Sequence, residues 1–141
     1  MESAYYCGYV GIYPSVQVSE CPFLRKFVLM GAIAGSKIVL IDKLLDEIRL
    51  TKEDILVLVA GTIFRDDGFI LNNILKRVLI HDLYLPLKIC LDNFSTWCQE
   101  ILEDILNEDE QLYQETYHLC IFRNDIDMLT YLDILKLKFN F

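Results

Sequence analysis

His81 and His118 are the only histidines in a chain of 141 residues, so general acid–base chemistry near neutral pH has few side chains to rest on. His81 lies between Ile80 and Asp82 in a stretch that reads as a loop, which predicts a surface histidine. His118 stands two residues before Cys120, the one local spacing that suggests a cysteine nucleophile with a base. Positions two apart on a helix point to different sides, so direct pairing of the two is geometrically poor. Cys120 also falls in an apolar column with Ile33 and Ile63, and a buried structural thiol is the expectation. A zinc site can be drawn from Cys90, Cys98, Cys120 and His118, but these spacings match no standard short-range ligand pair. Adjacent acids such as Asp66-Asp67 and Glu108-Asp109-Glu110 sit in turn-like stretches where carboxylates are solvated. The sequence has no Gly-rich phosphate loop, no serine elbow and no metal-binding His pair. The residues therefore predict no catalysis, no metal and no cofactor.

The elements that would carry these residues follow a period. The pairs Leu44-Leu45, Ile74-Leu75, Ile101-Leu102 and Tyr131-Leu132 recur at spacings of 30, 27 and 30 residues, the range of stacked-repeat arrays. Four residues before each second member stand Ile41, Leu71, Cys98 and Met128, and twelve before it Ile33, Ile63, Cys90 and Cys120. All eight are apolar.

Helical spacing predicts four helix pairs. Leu24 to Ala34 and Ile38 to Ile48 flank a break at Gly35-Ser36, where glycine permits reversal. Thr51 reads as an N-cap for Ile55 to Phe64, and Arg65-Asp66-Asp67-Gly68 is the turn to Phe69 to Leu79. The third pair starts near Pro86, runs to Leu91, turns at Asp92-Asn93 and resumes from Ser95 or Thr96 to Leu106. The fourth runs from Tyr113 to Phe122, turns at Arg123-Asn124-Asp125 and continues from Ile126 to about Leu135. The acidic run Glu103 to Glu110 reads as a helix end and loop. Val16-Gln17-Val18 and the alternating end Leu135 to Phe141 leave open a small sheet between the termini.

Size and composition bound the function. The length suits one domain, read as an N-terminal extension or cap over residues 1–22 and a single helical repeat domain over 23–141. Hydrophobic residues make up 54% and mean hydropathy is +0.33, so much apolar surface must be buried between helices or offered to a partner. The longest charge-free apolar runs, Phe27 to Ser36 and Ile55 to Phe64, fall short of the roughly 20 residues a bilayer span needs. No basic residue precedes Arg25, which makes the N-terminus a poor secretory signal. Five cysteines with no Cys-x-x-Cys pair suit reduced thiols and an intracellular, cytoplasmic setting. The net charge of -8 and pI near 4.6 disfavour nucleic acid and suit a basic partner protein.

The apolar skeleton from about Phe23 to Phe139 resembles ankyrin repeats, in which a short first helix, a tight turn and a longer second helix recur. Arg123-Asn124-Asp125-Ile126-Asp127-Met128-Leu129-Thr130-Tyr131-Leu132 is most similar to the turn and second helix of the divergent ankyrin-like repeats of some large DNA viruses and intracellular bacteria. The Thr-Pro-Leu-His that usually opens the first helix is replaced by Phe27-Val28-Leu29-Met30, Val57-Leu58-Val59-Ala60, Tyr84-Leu85-Pro86-Leu87 and Gln114-Glu115-Thr116-Tyr117. The resemblance implies an all-α fold of about four stacked helix-turn-helix repeats; a compact α-helical bundle is the competing architecture, because apolar residues three and four apart recur in any buried helix.

That geometry would expose Phe64, Arg65, Lys88, Leu91, Asp92, His118, Ile121 and Phe122 on a concave side. The function it implies is a non-enzymatic protein–protein interaction module that modulates or blocks a partner, as a viral or bacterial host-interaction factor would. The alternative expectation is a small acidic inhibitor or immunity protein that plugs a basic enzyme site.

Overall fold

The computed structural model describes residues 2–12, 22–78 and 80–139. Among them are nine α-helices and no strand: α1 (Glu2–Val10), α2 (Pro22–Ala34), α3 (Ile38–Glu47), α4 (Lys52–Phe64), α5 (Gly68–Leu75), α6 (Tyr84–Asn93), α7 (Thr96–Glu108), α8 (Glu110–Phe122) and α9 (Ile126–Lys138). The protein is all-α. The chain forms two compact units, Met1–Val78 and Leu79–Phe141. No described helix is long and apolar enough to cross a membrane.

Each of the four helix pairs reverses through the same turn. Ser36, Asp66, Phe94 and Asn124 adopt the left-handed conformation, with φ of 56°, 49°, 55° and 54°. In every pair the next residue's N–H donates back to a carbonyl five residues earlier, Lys37 to Ala32, Asp67 to Thr62, Ser95 to Cys90 and Asp125 to Cys120. This is the Schellman closure of a helix, which satisfies carbonyls that the helix end would leave unpaired. None of the four turn residues is glycine, so each carries a Cβ penalty that the closure must offset.

Measured from these turns, three columns are buried in all four pairs. Four residues before the turn residue lie Ala32, Thr62, Cys90 and Cys120; four after it lie Leu40, Ile70, Cys98 and Met128; eight after it lie Leu44, Ile74, Leu102 and Leu132. The first column holds small side chains and the third large branched ones. All eight residues of the columns read from sequence are buried as well. The turns show, however, that the leucine-pair alignment runs one residue out of register in the first two copies: Ala32 and Thr62, not Ile33 and Ile63, are the equivalents of Cys90 and Cys120.

Within each unit the pairs stack like on like. In the first unit α2 packs on α4 and α3 on α5; in the second α6 packs on α8. α7 and α9 are joined by a 2.6 Å hydrogen bond from the Tyr131 hydroxyl to Glu103. Thr116 crosses the α6–α8 layer, its hydroxyl accepting from the Leu83 N–H at 2.9 Å and donating to the Leu112 carbonyl. The Tyr113 hydroxyl donates to the Leu132 carbonyl at 2.6 Å, so the buried phenol has the partner it needs.

The N-terminal residues are part of the first unit. α1 lies against α2 so closely that a Cβ on Gly8 would stand 1.9 Å from the Val28 carbonyl oxygen, and one on Gly31 would stand 1.9 Å from that of Tyr5. Gly35 meets Tyr9 in the same way one turn further on, and because both series ascend together the two helices run parallel. Ala4 and Gly8 on one helix, and Gly31 and Gly35 on the other, give each a small residue every four positions, the spacing that lets two backbones touch.

Some helix ends differ from expectation. α6 begins at Tyr84, two residues before the expected Pro86, which sits in its first turn, and it ends at Asn93 with Phe94 as the turn residue. Asp109 closes α7 and also opens α8, its Oδ1 accepting from the Leu112 N–H at 3.0 Å; the acidic run is the end of α7 and a one-residue junction, with no loop between the helices. Residues 135–138 are helical rather than strand, and Val16-Gln17-Val18 lies outside the described residues. The second helix is longer than the first only in the third pair.

Candidate partner-binding faces

In the first unit the exposed side of α4 is apolar. Its core side uses Leu58, Val59, Thr62 and Ile63, while Val57, Gly61 and Phe64 follow one another at helical spacing on another side. With Tyr5 of α1, Met30, Ile33 and Ala34 of α2, and Arg65, they line a groove of about 330 Å³. Phe64 is 66% exposed at its end. Gly61 forms part of the floor, and a Cβ placed there would meet nothing within 4 Å, so the groove is open above it. Lys26 on α2 and Asp54 on α4 bridge the same two helices at 2.7 Å. The Lys26 hydrogen bond, with help from the Thr51 backbone, holds the Asp54 carboxyl below the usual range.

In the second unit the expected residues divide by role. Ile121 is 54% exposed and Phe122 86% exposed at the end of α8; Asp92 and His118 are exposed, and Leu91 is half-buried. Phe64, Asp92 and Phe122 all stand two residues before their turn residue, so the same position faces solvent in the last three pairs. Leu91 and Ile121 share the preceding position, which in the first unit is buried as Ile33 and Ile63.

Lys88 is engaged within the fold. Its Nζ lies 2.8 Å from Asp125 Oδ2 and 3.3 Å from the Tyr84 hydroxyl, which itself donates to Asp125 Oδ2 at 2.6 Å. Arg123 also lies over the Tyr84 ring, 5.4 Å from its centroid. The Lys88 and Tyr84 hydrogen bonds pull the Asp125 carboxyl down to about 2, and the same Asp125 contact pushes both Lys88 and Tyr84 up. These groups line an open hollow of about 560 Å³ whose charges are largely matched in place.

The residues with chemical potential lie apart from one another. Cys120 is fully buried, and burial pushes its thiol up to about 11, away from nucleophilic thiolate. His118 is exposed, and His81 is exposed beside a shallow hollow with Asp109, Gln111 and Glu115. Cys90 and Cys98 are buried, Cys7 half-buried, all as thiols. Among the described residues no three His, Cys, Asp or Glu side chains come together as a metal-ligand set.

Three surface features were not singled out from sequence. Val57 and Gly61 extend the Phe64 face, and their spacing was legible, but α4 is hydrophobic all round and its outward side is indistinct. Phe94 is 85% exposed in a left-handed turn, which no local pattern announces. The charge is also unevenly divided. The first unit has nine basic and nine acidic residues and the second has four and twelve, so the whole net charge of -8 belongs to the second. No family model matches the chain, and neither a curated protein nor a solved structure matches it.

Proposed function

We propose that the protein is a non-enzymatic interaction module that binds and blocks or recruits another protein through the ends of its first helices. The observation that carries this reading is the repeated exposure of Phe64 and Phe122 at one turn position, with Ile121 and the Val57–Gly61 groove beside them. Large aromatic side chains held on rigid helices near a turn are the groups that anchor protein interfaces. The ankyrin-like reading is supported within each unit by like-on-like stacking and the shared turn, and repeat modules of this kind work by binding. Thiol cysteines support an intracellular setting, where such a module would act as a viral or bacterial host-interaction factor.

A second reading is an acidic inhibitor of a basic enzyme site, favoured by the concentration of net charge in the second unit. The two separate by experiment. Capture from lysate with wild type and with the Phe64→Ser/Phe122→Ser variant should lose the same partner from the variant if the apolar face binds. Capture that is indifferent to the variant but abolished by moderate salt would support the inhibitor reading and contradict the first.

A further inference from the structure

We infer that the third turn is a further anchor of the second unit's binding face, and that what it takes is an arginine- or lysine-bearing segment of the partner protein. The inference rests on the reading of the protein as an interaction module. It adds Phe94 and Trp97 to that surface and fixes the charge of the segment they meet.

Phe94 stands where neither folding nor solubility favours it. It is the turn residue of the third pair, at φ 55° and ψ 38°, and its side chain is 85% exposed. Ser36, Asp66 and Asn124 hold the same position in the other pairs, and Asp and Asn enter the left-handed region at less cost than a bulky residue does. Among the described residues the Phe94 ring has no aromatic or cationic neighbour, so it adds little to the packing of its own chain. A large apolar ring held out on a strained turn is accounted for by a contact with another molecule. Trp97, three residues on in the first turn of α7, is 41% exposed. α6 and α8 run parallel, since Leu83 bonds to Thr116 and Lys88 to Asp125 further along both. Phe94, just past the end of α6, and Phe122, at the end of α8, therefore emerge at the same edge of the unit.

Charge and ring chemistry together select the occupant. Between Lys88 and Arg123 the sequence has eight aspartates and glutamates and no lysine or arginine, and this stretch holds the third turn, α7 and α8. Asp92 lies two residues before Phe94 and Glu100 three after Trp97; both are exposed, and among the described residues neither is ion-paired. The cations of the neighbouring helices are engaged or distant. Lys88 is bound to Asp125, Arg123 lies over the Tyr84 ring, and Lys136 and Lys138 sit in the last turn of α9, away from the turns. Asp127, exposed at the start of α9, adds to the negative side of this edge. The unit displays the matching chemistry in its own network, where Lys88 and Arg123 lie against the Tyr84 ring and Asp125 binds Lys88. Asp92 and Phe94 present the same combination of carboxylate and ring without a cation. A guanidinium or ammonium laid against the ring and bonded to the carboxylate supplies it.

Trp97 is the only tryptophan, so its fluorescence reports on this turn in the full chain. The probes are an amphipathic leucine–arginine peptide and its leucine–glutamate counterpart. The arginine peptide should shift the Trp97 emission saturably, and the glutamate peptide should leave it unchanged. Phe94→Asn keeps the charge and suits the turn, so it should weaken binding of the arginine peptide about tenfold while thermal stability holds or rises. Asp92→Lys should weaken it by a similar factor. No shift with the arginine peptide, an equal shift with both peptides, or binding indifferent to Phe94→Asn would each overturn the inference, the last because it reduces the attraction to net charge. In that event, lysate capture still lost by Phe64→Ser/Phe122→Ser keeps the interaction module and removes only the cation-binding anchor at the third turn.

Discussion

Asp67 and Asp125 occupy the same position, one residue after the turn residue of the second and fourth pairs, and each carboxylate joins a helix cap to the preceding pair. Oδ1 of each accepts from the backbone N–H three residues on, Ile70 and Met128, at 3.2 Å. Oδ2 of Asp67 accepts from the Ser36 hydroxyl, and Oδ2 of Asp125 accepts from Tyr84 and Lys88. A side chain that both caps a helix and reaches the previous layer couples local to tertiary structure.

Asp125→Ala should therefore lose about 1–2 kcal/mol, at the upper end for a cap, and Asp67→Ala about 0.5–1 kcal/mol, since its cross-layer bond at 3.3 Å is long and exposed. Urea unfolding of the two variants measures the difference. The folded Asp125 carboxyl is held at about 2 against 3.8 ordinarily, so its contribution is complete above pH 4 and is lost as pH falls from about 4 to 2. Asp125→Asn should flatten that part of the stability profile; an equally steep acid limb would assign it to other carboxylates.

The glycines make opposite predictions. Gly31→Ala or Gly8→Ala forces a methyl into the facing backbone and should destabilise by about 1–3 kcal/mol, separating α1 from α2. Gly61→Ala enters open space inside a helix and should stabilise by about 0.5–1 kcal/mol while shallowing the groove. Thermal melts of the three variants decide it, and equal destabilisation by all three would contradict the packing described.

Much of this fold is legible in the sequence, and the failures have physical causes. Three of the four turns, the buried columns and the Thr51 cap follow from helical periodicity and cap chemistry, because both are local; the third turn falls at Phe94 rather than Asp92-Asn93. The leucine-pair alignment slips by one residue in the first two pairs because neighbouring positions there are all apolar, whereas the left-handed turns fix a common reference. Family geometry puts Phe64 and Phe122 on an exposed side, and both are exposed; the Lys88–Asp125 ion pair is not legible, because its partners lie 37 residues apart.

Phe94 stands in the left-handed region with its ring in solvent. Phe94→Gly or Phe94→Asn should stabilise the second unit by about 1 kcal/mol by relieving the Cβ clash. A loss of stability in both would mean that the ring makes a contact that outweighs the strain.

Burial holds the Cys120 thiol neutral up to about pH 11, against 9.0 ordinarily. Its contribution is complete below pH 9 and is lost between about 9 and 11, as the unfolded chain ionises and the folded one does not. Cys120→Ala, matching Ala32 in the same column, should remove that alkaline slope. In the native protein at neutral pH, iodoacetamide should modify Cys7 and leave Cys120 untouched.

The most direct test of the proposed binding faces, one in each unit, is photo-crosslinking with benzoylphenylalanine at residue 64, 122 or, as a control on a second helix, 39. One and the same partner captured from positions 64 and 122, and not from 39, is the predicted result. A partner captured from 39 and from neither of the other two would contradict the assignment.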